Sequence, residues 1–202
     1  GISEIVSSWY SVEGVYNWEN NETTLRKSWR PDKIFYRWLI KHFDGVICTT
    51  EKLKSICITA GVPKKNIYCI PNGVNTEKFH VVSHNEKQAV RSLLGLDTDD
   101  FILGTALTLR PTKGLDLLLE ACCKIPSDIK MQLLIVGLSS KDVYTSTSVF
   151  SKRVVRHLNQ LPQNVKIMFA GFVPDIQQYL FTIDGFVLPS RSEGFPNSAL
   201  ES

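Results

Sequence analysis

No apolar run in this sequence approaches the ~20 residues that a helix needs to cross a bilayer, so no membrane-spanning segment is expected. A strong charge of one sign is missing too. Lys plus Arg number 23 against 20 for Asp plus Glu, and a net charge of +3 draws a polyanion only weakly, which argues against nucleic acid as a partner. The five cysteines (Cys48, Cys57, Cys69, Cys122 and Cys123) show neither a C-x-x-C pair nor a metal-ligand spacing. Reduced structural thiols in a cytosolic protein are the expectation. His42, His80, His84 and His157 are too scattered to suggest a metal site. G-x-G-x-x-G follows none of the apolar runs and a P-loop is missing, which sets aside a dinucleotide-binding dehydrogenase. Asn21-Glu22-Thr23 matches a glycosylation acceptor, but nothing else looks secreted.

What is present is the balance of a globular protein, 43% hydrophobic and 21% charged over 202 residues, enough for one ordinary domain or pieces of two. The chain begins at Gly1 and stops at Ser202, inside what reads as the first turn of a helix, so a fragment is expected. From residue 101 short apolar runs, Phe101 to Leu107, Met131 to Val136, Val165 to Ala170 and Gly185 to Leu188, lack polar alternation, as strands buried on both faces of a parallel sheet do. Between them Leu115, Leu118, Leu119 and Cys122 share one helical face, as do Phe150, Val154, Leu158 and Leu161. Pro174 is expected to open a shorter helix carrying Ile176, Tyr179 and Leu180. Strand and helix alternate throughout, which predicts a doubly wound α/β sheet.

The first hundred residues are less uniform. Residues 31 to 43 read as a helix, Gly45 to Cys48 as a strand, Glu51 to Ala60 as a helix and Ile67 to Ile70 as a strand. A polar stretch then runs to about Asp100 with one helix, Glu86 to Leu94, stopped by Gly95. The boundary between domains is placed between Asn75 and Phe101. Lys33, Arg37 and Lys41 recur along the 31–43 helix beside Ile34, Phe35, Trp38 and Leu39. That pattern invites peripheral membrane contact, but a core helix with a snorkelling basic edge is the favoured reading.

In an open α/β sheet ligands bind beyond the carboxyl ends of the strands. Two loops there stand out. Arg110-Pro111-Thr112-Lys113-Gly114 sets two cations at the mouth of a helix, and Ser190-Arg191-Ser192-Glu193-Gly194-Phe195-Pro196-Asn197-Ser198 feeds a helix whose first N–H groups can receive an anion. Together they could neutralise a diphosphate. Taken alone, Arg110 and Lys113 could equally be a solvated pair at a helix entrance, and Glu201 a carboxylate welcome in any first turn.

Five stretches in order carry a resemblance: Ile70-Pro71-Asn72-Gly73-Val74-Asn75 with Phe79; Arg110-x-x-Lys113-Gly114; Leu134-Ile135-Val136-Gly137; Phe169-Ala170-Gly171-Phe172-Val173; and Leu188-Pro189-Ser190 with Glu193-Gly194-Phe195-Pro196 and Glu201. In spacing they resemble the retaining family 4 glycosyltransferases of GT-B fold, over roughly residues 44–202. The resemblance implies two Rossmann-like doubly wound parallel sheets: residues 1–75 the end of the acceptor-binding domain, 76–100 an interdomain connection, and 101–202 a truncated donor-binding domain. It also implies a nucleotide-sugar donor, a glycan or lipid-linked acceptor, retention of anomeric configuration, a cytoplasmic setting at or near the membrane face, and neither cofactor nor metal.

By that resemblance Lys113 and Arg110 would clamp the donor diphosphate and Glu193 would face the transferred sugar. Gly171, Phe172 and Val173 would border the base. Backbone amides of Gly194, Phe195, Asn197 and Ser198, around Pro196, would bind sugar or phosphate oxygens, and Glu201 would accept hydrogen bonds from the ribose. Many relatives carry an Arg five residues before the Lys, where this chain has Thr108, which makes Lys113 the firmer half of the clamp. Tyr10 stands where an acceptor-domain His is common, so a noncatalytic nucleotide-sugar-binding protein is the rival reading. The fragment by itself is expected to be inactive.

Overall fold

The computed structural model describes residues 44–202, so the helix expected over 31–43 and the segment with Tyr10 lie outside the described residues. The chain divides into two compact units, residues 1–73 and 74–202. In the first, β1 (Val46–Cys48), α1 (Glu51–Ala60) and β2 (Ile67–Cys69) form a β-α-β unit whose strands pair in parallel, Cys48 opposite Cys69. Local chemistry fixes the ends of α1. Thr50 Oγ1 accepts the Leu53 N–H at 3.2 Å, and Gly61 closes the helix with φ 95°, a conformation that costs glycine nothing. Cys48, Cys57, Val62 and Ile67 make the small core. All five cysteines are free, and burial pushes the Cys48 thiol up to about 12 and that of Cys122 to about 11. Such thiols hold almost no thiolate at neutral pH, as structural cysteines should.

The second unit contains α2 (His84–Leu93), β3 (Phe101–Ala106), α3 (Leu115–Cys122), β4 (Met131–Val136), α4 (Ser140–Thr145), α5 (Val149–Leu158), β5 (Val165–Gly171), α6 (Gln177–Leu180), β6 (Gly185–Phe186) and α7 (Asn197–Glu201). Its sheet runs β5-β4-β3-β6 with every pair parallel. All of β4 is buried, and its side chains alternate between two cores. Leu133 and Ile135 meet Leu115, Leu118, Leu119 and Val154 on one face, whereas Leu134 and Val136 meet Leu96, Ile102, Ile176 and Tyr179 on the other. A sheet covered on both faces is what the unbroken apolar runs require.

The segment 76–100, expected as an interdomain connection, falls with the second unit, where Leu94 and Leu96 pack into its second core. One local expectation is corrected and one element was missed. Pro174 does not open α6: the Gln177 N–H donates to Asp175 Oδ1 at 3.2 Å, and this Asx turn holds the chain out of the helix until Gln177. The helix α4 was not anticipated. Its sequence has no apolar period, and it is nucleated by a capping box in which Ser139 and Asp142 satisfy each other's backbone N–H groups.

Charged groups seat α2 at the amino end of β6. Arg91, 3% exposed, donates from Nε to Thr182 O at 2.8 Å and from Nη2 to Asp184 Oδ2 at 2.6 Å, and Lys87 reaches Asp184 Oδ1 at 3.0 Å. Asp184 Oδ2 also accepts the Ile102 N–H at 2.8 Å, which ties β3 to the same carboxylate. Burial pushes the Asp184 carboxyl up, but the Ile102 N–H, Lys87 and Arg91 outweigh it and hold the group below the ordinary aspartate value. No helix among the described residues is long and apolar enough to cross a membrane. Arg91→Ala takes one of three donors from this carboxylate and leaves the Thr182 carbonyl without its donor; a loss of about 3 kcal/mol is expected from urea unfolding of the intact protein.

Candidate functional site

The site forms where the chain leaves β3 and β6, neighbours at the switch point of the sheet. Beyond β3 a 3-10 turn, Pro111–Lys113, passes directly into α3 through Gly114 at φ 68°. A Cβ at Gly114 would fall far inside contact distance of Pro189 O, so the residue serves both a left-handed backbone and a close approach of the two loops. Gly137, after β4, has φ 88° and places its Cα side against Leu107 O in a similar way. Close approach by glycine at two successive strand ends draws the loops together.

Lys113 and Glu193, singled out in the sequence on separate loops, meet: Lys113 Nζ donates to Glu193 Oε1 at 2.8 Å, with both side chains partly exposed. Cation and carboxylate thus face solvent from adjoining loops. Arg110 is exposed at the start of the 3-10 turn and forms no ion pair among the described residues. Gly194, Phe195 and Pro196 are half-buried in the turn before α7, and the Asn197 N–H donates to Phe195 O at 3.1 Å. Ser198 and Glu201, also half-buried, lie within α7. At the end of β5, Gly171 exchanges backbone hydrogen bonds with Gly137 and Leu138. Phe172 is 92% exposed, whereas Val173 packs its side chain into the core with Ile102 and Leu134. Of the three residues assigned to the base, Val173 therefore offers only its backbone. Among the described residues no group of His, Cys, Asp and Glu is arranged to hold a metal ion.

Sequence reading missed two residues that join the loops. Arg191 forks onto Asp116, Nη1 to Oδ1 at 2.8 Å and Nη2 to Oδ2 at 2.9 Å, while Arg191 Nη1 also donates to Pro111 O at 2.6 Å. The Arg191 N–H donates to Thr112 O at 2.8 Å, and Arg153 Nη1 approaches Asp116 Oδ2 at 3.2 Å. Asp116 is 4% exposed, and the hydrogen bonds from Arg191 hold its carboxyl below the ordinary aspartate value against the opposing effect of burial. The available signal was an acidic residue at the edge of the apolar stripe of α3, one turn after the Lys-Gly pair.

Comparison with known proteins bears on this geometry. The family described as glycosyl transferases group 1 matches residues 86–202, and that described as glycosyltransferase family 4 matches residues 9–78. An alpha-galactosylglucosyldiacylglycerol synthase of Streptococcus pneumoniae is 30% identical over 147 residues, 72% of this chain and 37% of its own. An Escherichia coli UDP-Gal:alpha-D-GlcNAc-diphosphoundecaprenol alpha-1,3-galactosyltransferase is 30% identical over 189 residues, 90% of this chain and 46% of its own. The chain thus spans less than half the length of these relatives. Among solved structures, Anabaena HepE in complex with UDP and glucose superposes with TM-score 0.68 at 22% identity, over 93% of this chain and 47% of that one. The lipopolysaccharide-biosynthesis glycosyltransferase WaaG gives 0.69 at 16% identity, over 95% and 50%. These likenesses establish the fold, α/β of GT-B type with Rossmann-like sheets.

Gly114→Ala should force the Pro189 carbonyl away and strain a left-handed backbone. A loss of about 2 kcal/mol, seen as a lowered unfolding midpoint, is expected.

Proposed function

The chain belongs to the glycosyl transferases group 1 family, and from that premise we propose that the intact protein transfers a sugar from a nucleotide-diphosphate donor to an acceptor hydroxyl with retention of configuration. The observation that carries the reading is the Lys113–Glu193 pair at the carboxyl ends of β3 and β6. In the proposed site Lys113, with Arg110 beside it, faces the donor diphosphate and stabilises the negative charge that gathers on the departing nucleoside diphosphate. Glu193 faces the transferred sugar. The backbone of Gly194, Phe195, Asn197 and Ser198, shaped by Pro196, contacts sugar and phosphate oxygens; Glu201 binds the ribose, and Gly171, Phe172 and the Val173 backbone border the base. The positive charge comes from the protein's own side chains, and no metal is called upon.

An oxocarbenium-like transition state suits these groups, because little side-chain proton transfer is needed when a donor phosphate oxygen helps to deprotonate the acceptor. The catalytic contribution is then preorganised electrostatics. The names of the relatives include a glycolipid synthase and a transferase acting on a diphosphoundecaprenol-linked sugar. They support a glycan or lipid-linked acceptor in glycoconjugate synthesis; a cytoplasmic setting at the membrane face is part of the proposal.

The test is a thermal-shift screen of the intact protein with nucleoside diphosphates and their sugars, UDP-galactose and UDP-glucose first, followed by transfer assays on the binders. A ligand at 100 times its dissociation constant adds ~2.7 kcal/mol of stability. Binding without transfer or donor hydrolysis would instead make the protein a noncatalytic nucleotide-sugar binder. Lys113→Ala should lower turnover ~10²-fold to 10³-fold with an unchanged circular-dichroism spectrum; wild-type turnover would remove Lys113 from the clamp.

A further inference from the structure

The pairing of Asp116 with Arg191 has no direct part in the site as proposed above. The Nη1–Nη2 end of the Arg191 guanidinium is given to Asp116, and Nη1 reaches the Pro111 carbonyl as well, so that end faces the protein. With its own N–H on Thr112 O, one residue binds the segment 111–116 at three separate places. Lys113 lies inside that segment. Glu193 follows Arg191 by two residues, too few for the chain between them to move independently. The Lys113–Glu193 separation of 2.8 Å is therefore set largely by what Arg191 and Asp116 do.

Stability is a weak explanation for such a pair. Taking a carboxylate to 4% exposure has a desolvation cost that its partners barely repay, and apolar residues often serve the fold as well. A bidentate fork offers something an apolar contact does not, which is a fixed direction and register between two loops. We infer that Asp116 and Arg191 are positioning residues that hold Lys113 and Glu193 at their working separation. This inference rests on the transferase reading. Arg153, 54% exposed in its side chain, is a secondary support whose loss leaves the fork intact.

The experiment is steady-state kinetics of the intact protein with the sugar nucleotide that the screen selects, comparing wild type, Asp116→Asn, Arg191→Lys, and Leu119→Ala as a purely structural control. Each is assayed well below its own unfolding midpoint. Asp116→Asn and Arg191→Lys should each lower kcat ~10-fold to 100-fold with a smaller change in KM, while Leu119→Ala lowers the midpoint and leaves kcat alone. In a Lys113→Ala background, the loss from Asp116→Asn should be well below that seen in the wild type, because one of the two groups whose separation the fork sets is already gone. Should Asp116→Asn fail to fold, Arg191→Lys carries the test, in the same two backgrounds. Wild-type kcat in a folded variant, or losses that add fully to that of Lys113→Ala, would overturn the positioning role. An inactive wild type would overturn the transferase reading and this inference with it.

Discussion

One carboxylate organises the carboxyl edge of the second unit. Asp116 sits in the first turn of α3, out of solvent, and Arg191 arrives from beyond β6 to neutralise it across 75 residues of sequence. Without that counter-charge a buried aspartate would be expensive to keep ionised. With it, the chain leaving β3 and the chain leaving β6 behave as one body. The apolar sheet brings the two strand ends within reach, but apolar packing has no direction, and it is the fork that sets how one loop faces the other.

The opposite end of the sheet repeats this arrangement with other residues. Asp184 gathers Lys87, Arg91 and the Ile102 N–H, so α2, β3 and the entrance to β6 share one carboxylate. β6 is only Gly185–Phe186 and pairs with β3 at two positions, Leu103 with Gly185 and Gly104 with Phe186. So short an edge strand gains little from its ladder. Charged anchors before and after it supply the fixation, and the loop bearing Glu193 inherits its position from both.

Much of this was visible in the residues. The runs at 101, 131 and 165 could be recognised as strands because a sheet covered on both faces leaves no polar alternation, and α1 was bounded correctly because its apolar face and Gly61 lie within one local window. Lys113 and Glu193 could be singled out because the motifs around them resemble those of a known family and their loops follow strand ends. Asp116 and Arg191 could not, since neither means anything until the fold brings them together, and a lone charge beside an apolar stripe usually faces water. The misplaced start of α6 has a local cause: Pro174 and Asp175 compete to set the helix start, and the Asx turn of Asp175 prevails. As for 76–100, its polar composition hid the few apolar residues, Leu94 and Leu96, that attach it to the sheet.

Gly114 touching Pro189 carries a consequence for how such a site can diverge. Two loops in van der Waals contact at a residue without a side chain cannot lengthen separately, since an insertion in either would shift its cation or carboxylate against the other. Freedom to vary begins past the contacts of Gly137 and Gly171, where Tyr144 and Phe172 project into solvent and no equivalent fork is present among the described residues. The molecule separates a fixed half, in which length and register are constrained together, from an open half in which side chains can be exchanged without disturbing the sheet.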